Sequence, residues 1–228
     1  MTVNVKPVDF KFGEYISKAI DLMKKDLGNF IVAYIFVIIM SIIPLCGLLA
    51  IGNFYKYCRK VYYGEPTSPS EIFNFDDFVP YLLAQLVLIA SILPFYIPMI
   101  VMSIANGDGE PSPAFGVAVV VLALAMMAVV FWLLVKAFYI PGLISLRKVQ
   151  DLKTAWNMSN IMTKGNFMNI LLFVIVVSFL AQLGILACFI GLIVTMPFAY
   201  VSHYFAYEDA FKQLEDDEIK EIGVRNEA

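Results

Sequence analysis

Charge is scarce in this chain. Of 228 residues, 15% are Asp, Glu, Lys or Arg, against 61% hydrophobic, where a soluble domain usually carries about a quarter charged residues. So small a polar fraction cannot coat a globular core, and composition alone implies a membrane protein. The three cysteines, Cys46, Cys58 and Cys188, lie in or beside apolar runs and form no CxxC pair. An odd number without paired spacing excludes a disulfide framework and a zinc site and leaves small core residues. The net charge of −3, with no basic stripe, speaks against a nucleic-acid partner. The start, MTVNVKPVDFKFGEY, has no apolar signal-peptide core, so the first membrane helix is expected to direct insertion. No GxSxG, HExxH, P-loop or GxGxxG stands in a usable context. No catalytic, cofactor or metal residues are therefore assigned, and an enzyme is not expected.

What the chain has is long uncharged stretches, at 27–55, 79–107, 112–135 and 165–207. A spanning helix needs about 20 apolar residues, so the second and third stretches fit one helix each. Between them, NGDGEPSP is turn punctuation. The fourth stretch is about two spans long and divides near Gly184. The first divides at PLCG only if its second helix runs to Tyr63 with Lys56, Arg59 and Lys60 snorkelling at its end. Basic residues favour the cytoplasmic side. If the first stretch is a hairpin, every Lys and Arg falls on one side, and the sizeable outer loop carries only Asp108 and Glu110. If it crosses once, the N-terminal lysines end up outside. The charge pattern predicts six spans with both termini cytoplasmic.

The phrase Gly-Asn-Phe occurs at Gly28, Asn29, Phe30 and again at Gly165, Asn166, Phe167; in the same register Ser41 matches Ser178 and Gly47 matches Gly184. Before the first copy, Ile16, Ala19, Ile20, Met23 and Leu27 form one apolar face, the pattern of an amphipathic helix on a membrane surface. Val149, Leu152, Trp156, Ser159 and Met162 form a weaker stripe before the second. Each unit reads as surface helix, hinge, spanning helix, Gly turn and returning helix. Gly28 and Gly165 end the surface helix in the left-handed region, and Asn29 and Asn166 cap the next helix. Both units start on one side, so the repeat is parallel.

Polar groups within the spans are few. Gln85, Gln182 and Thr195, with Asn169, Ser41 and Ser178, suit either a transport path or, more commonly, interhelical hydrogen bonds. No acid lies mid-span, against a proton-coupled carrier. His203, the single histidine, reads as an interfacial side chain. Asn53, Lys56 and Lys60 share one helix face at the cytoplasmic surface and suit an anionic headgroup, although pairing with Glu65, Asp76, Asp77 or Glu208 is as simple. SPSEIFNF carries a capping box from Ser68 to Glu71 with Pro69 at the first helical position and predicts a short interfacial helix. The tail extends the last helix and frays.

Ala155, Ser159, Lys164, Gly165 and Asn166, followed by Gly184, Gly191, Thr195, Pro197, Tyr200 and Tyr204, resemble a broad group of six-span bacterial membrane proteins of no agreed activity. That group is related in layout to the membrane domain of some glycerophosphodiester phosphodiesterases. The resemblance implies architecture alone, six helices with surface helices leading into the spans, because the soluble phosphodiesterase domain is missing. The expectation is an all-α, six-span domain over residues 1–211. Parallel repeat units at 14–63 and 149–208 flank a central hairpin at 79–140, and an acidic cytoplasmic tail covers 212–228. The expected role is a non-enzymatic scaffolding or accessory subunit of the bacterial inner membrane, partnered by lipids, other subunits or itself. A small oligomeric transporter or channel and an anionic-lipid binder are the alternatives.

Overall fold

The computed structural model describes residues 6–106, 112–187 and 190–226, and side chains for 6–105, 112–186 and 191–215 of these. The tip of the NGDGEPSP turn, Cys188 and the tail side chains beyond 215 lie outside the described residues. The described chain is helical with no strand. In order come α1 (Phe12–Lys25), α2 (Leu27–Ser41), α3 (Gly47–Tyr63), a 3-10 turn (Pro69–Phe73), α4 (Phe78–Asn106), α5 (Pro113–Lys136), α6 (Ile140–Arg147), α7 (Leu152–Met162), α8 (Phe167–Gln182), a second 3-10 turn (Leu183–Ala187) and α9 (Ile190–Asn226).

Local chemistry sets several boundaries. Ser112 accepts a bond from Phe115 N with Pro113 in the first turn of α5, the pairing that suits a helix start. Asp151 accepts from Thr154 N at 2.8 Å and caps α7. Gly64, with φ of 71°, closes α3 in the left-handed region. The Ser68 hydroxyl accepts from Ser70 N rather than from the Glu71 amide, and Pro69–Phe73 closes as a 3-10 turn.

Three helical segments are long and apolar enough to cross a membrane: 78–105, 113–147 and 167–186. The first two of these include α4 and α5, which pack against each other. α2, at 15 residues, is about 22 Å long, short of a hydrocarbon core of about 30 Å. The turn Pro69–Phe73 lies beside the middle of the α2–α3 hairpin, with Phe73 5.3 Å from the Phe36 ring and Ile72 O bonded by Asn53.

The core gathers around α3 and α9. Tyr200 of α9 meets Tyr34, Phe54 and Tyr55, and Phe138 meets Phe10, Phe173, His203 and Tyr207. Three contacts need glycine. A Cβ at Gly52 would sit 2.2 Å from the Tyr81 hydroxyl, one at Gly142 would sit 2.7 Å from Tyr207 Cγ, and one at Gly184 would sit 2.3 Å from Thr195 Oγ1.

The apolar face of α1 covers protein. Tyr15, Ala19, Leu22 and Met23 are buried, and α1 lies against α9, where Tyr15 donates to Asp209 at 2.8 Å. Ile20, assigned to the stripe from spacing, is exposed. The two Gly-Asn-Phe junctions also differ. Gly165 is left-handed at φ of 81°, as expected, and Asn166 begins α8, but its amide donates to Val8 O instead of capping. At the first junction Asp26 is the cap, accepting from Asn29 N and from the Asn29 side chain at 2.7 Å. Gly28 and Asn29 therefore lie inside the first turn of α2. An acidic residue two positions before the glycine supplies the acceptor there, so the hinge moves to it.

Candidate functional site

α3 turns one face toward the charged end of the molecule and carries Asn53, Lys56, Arg59 and Lys60 on it. The Asn53 amide donates to Ile72 O at 2.9 Å and Asn74 O at 2.6 Å, fixing the 69–73 turn against α3. Its carbonyl accepts from Lys56 Nζ at 3.1 Å. Lys56 Nζ lies 2.5 Å from Asp77 Oδ2, and Lys148 lies 3.4 Å from the same oxygen. Gln150 donates to Asp77 Oδ1 at 3.1 Å. Lys60 pairs with Glu71 at 2.7 Å.

Asp77, with a side chain only 2% exposed, is the centre of this network. Burial pushes its carboxyl up. The hydrogen bonds from Lys56 and Gln150 and the charges of Lys56 and Lys148 push harder the other way and hold it below the usual carboxylate range.

Glu208 organises a second knot. Tyr63 donates to Oε1 at 2.5 Å, Arg59 Nε lies 3.8 Å from Oε2, and Lys212 lies 3.9 Å from Oε1. Arg59 also donates to Leu146 O, and Arg147 donates to Phe211 O and pairs with Glu215. The chain's start joins through Lys11, 3.3 Å from Asp209. That carboxylate raises the pKa of the lysine, outweighing the opposing effect of burial. Together these groups form a platform that ties α1, α3, α6 and α9 at one end.

A cavity of about 640 Å³ opens in the platform, with Asn53, Lys56, Lys60, Glu71, Asn74 and Lys148 among its lining. The structure therefore brings Asn53, Lys56 and Lys60 together, as their spacing predicts, and gives both lysines carboxylate partners within the chain. Asp77 was foreseeable as such a partner. The Lys60–Glu71 pair was not, because Glu71 reads from sequence as a capping residue. Among the described residues, no three His, Cys, Asp or Glu side chains form a metal-binding group.

The polar residues of the apolar helices do not converge. Thr195 donates to Ala181 O and Gly191 O between α8 and α9. Gln182 is exposed at the end of α8, and the Gln85 side-chain oxygen on α4 is buried without a partner. None of the three lines the platform cavity. His203 stands edge-on to Phe138 and Phe173, each centroid 5.7 Å away.

The central hairpin is fastened to the platform at its foot. Tyr81 donates to Pro141 O at 2.9 Å and shares a 2.7 Å bond with Ser145 Oγ. Ser159 Oγ donates to Lys136 O at 2.6 Å and accepts from Tyr139 N at 3.2 Å. Trp132 and Trp156 lie 5.8 Å apart. Beyond the foot, the most apolar windows of α4 and α5 contain no buried residue. No family model, curated protein or solved structure matches this chain.

Proposed function

We propose that this chain is a non-enzymatic, multi-pass protein of the bacterial inner membrane that serves as a scaffolding or accessory subunit. It offers the α4–α5 hairpin to another subunit or to a second copy, with the platform at the cytoplasmic face. One observation carries the reading: the platform's polar groups are spent on one another, while the most apolar stretches of the hairpin contain no residue buried by the rest of the chain. Small clusters of exposed apolar residues are ordinary, but a long uncovered surface marks a site of lipid or protein contact.

The proposed topology has six apolar helices in three hairpins, with both termini cytoplasmic. A hairpin that turns back part-way returns to the same side as one that crosses fully, so the short α2 leaves the charge argument intact. The two outer hairpins, each led by an amphipathic helix (α1 or α7), are read as parallel repeats. Anionic-lipid binding at Asn53, Lys56 and Lys60 is weakened by the Lys56–Asp77 and Lys60–Glu71 pairs. A transport path is weakened by the separation of Gln85, Gln182 and Thr195.

The test is exchange of residues 84–130 for an unrelated apolar hairpin of equal length. A scaffold keeps its fold and loses its native assembly on blue-native gels. Retention of the assembly overturns the reading. A cysteine at Thr67, labelled from the cytoplasmic side only, supports the topology; labelling only from the opposite side refutes it.

A further inference from the structure

A second cavity of about 640 Å³ lies in the angle between the hairpin foot and α6–α7. Its walls are apolar: Leu48 from α3, Val87 and Leu88 from α4, Val130 and Leu134 from α5. The one hydroxyl in the lining, Ser91, is turned back onto Val87 O at 2.8 Å and asks nothing of an occupant. Lys153 and Trp156 of α7 also line it. Lys153 is exposed; its backbone and its charge both act on Asp151 two residues away, while its ammonium forms no salt bridge among the described residues. Its nearest acid in sequence, Asp151, is committed to capping Thr154 through both N and Oγ1.

We propose that this groove holds one acyl chain of an anionic glycerophospholipid, with the phosphate against Lys153. Three features fit that occupant. The volume falls in the range of about 300–1,000 Å³ seen for small-molecule sites. The lining on α4 runs from Ala84 to Ile92, about 12 Å of helix, close to the depth of one leaflet's hydrocarbon, about 15 Å. An exposed cation, Lys153, stands in the lining with Trp156 of the same helix, where aromatic rings gather at membrane interfaces. A helix of a second copy fits less well, because it is about 10 Å across and two turns already outgrow the groove. The site is separate from Asn53, Lys56 and Lys60, and it depends only on insertion of the long apolar helices.

The chain's two tryptophans, Trp132 and Trp156, provide the probe. With Trp132→Phe in nanodiscs of phosphatidylcholine, Trp156 fluorescence reports on a minor fraction of chain-brominated phosphatidylglycerol or, in parallel, chain-brominated phosphatidylcholine. One lysine beside an anionic headgroup corresponds to a roughly five-fold preference, read as quenching at lower mole fraction by the anionic lipid. Lys153→Arg keeps the preference and Lys153→Ala removes it. Ala84→Phe, which fills the groove, reduces quenching by both lipids. Equal quenching by the two lipids in the parent, or a preference unchanged by Lys153→Ala, overturns the proposal. So does quenching by neither lipid with emission that depends on protein density, the outcome for a second copy in the groove. Failure to reconstitute would refute membrane residence itself, a result distinct from these.

Discussion

Foot and shaft of the central hairpin belong to the same two helices and are built differently. At the foot, Tyr81 bonds Pro141 and Ser145, Ser159 bridges Lys136 and Tyr139, and Gly52 gives up its Cβ position to the Tyr81 ring. One turn beyond, Leu83, Leu86 and Val87 are already exposed, and Val117, Val121 and Leu124 of α5 are exposed along the shaft. Apolar side chains on the shaft gain little from burial against the protein, since lipid tails are as apolar as leucine. Stability must therefore concentrate where polar groups and tight packing meet, at the platform, and the shaft is free to be specified by something else.

Mutations sharpen this contrast. The largest expected effect is Asp77→Asn, which strands Lys56 beside a neutral amide. Breaking a buried pair costs about 3–5 kcal/mol, seen as a fall in the detergent-solubilised melting temperature, and adding Lys56→Met restores part of it. Gly142→Val comes next. Its Cβ displaces the Tyr207 ring from a buried site, with an overpacking cost of about 1–3 kcal/mol. Acid gives a milder version of the first. Because the folded pKa of Asp77 lies below its unfolded value of about 3.9, its contribution is complete above that pH and is lost as pH falls through the folded value. Melting temperature should drop below about pH 4 in the parent, with a shallower drop in Asp77→Asn. The smallest effect belongs to the shaft: Val121→Ala should change stability by no more than about 0.5 kcal/mol.

Legibility in the sequence follows the same division. The central hairpin was readable because two uncharged runs flank a turn-rich segment, and Ser112–Pro113 starts α5 as its chemistry demands. The face of Asn53, Lys56 and Lys60 was readable from helical spacing. The reach of the first hairpin was not. The 69–73 turn folds back against Phe36 and Asn53 beside it, a contact between segments whose apolar patterns carry no register. The hinge at Gly28 was misplaced because Asp26 outcompetes Asn29 as a cap acceptor, while Gly165 has no acid at the matching position and keeps its left-handed turn. The apolar face of α1 showed that the helix lies on something apolar, and periodicity cannot distinguish a bilayer from α9.

The central claim, that the shaft is covered by another protein chain, is tested most directly by photo-crosslinking in native membranes. A photoreactive residue is placed in turn at Val117, Val120, Val121 and Leu124, all exposed on α5. The account predicts a protein adduct of one defined mass at positions sharing a helix face, and its loss when the α4–α5 hairpin is exchanged. Lipid adducts alone at every position would contradict it.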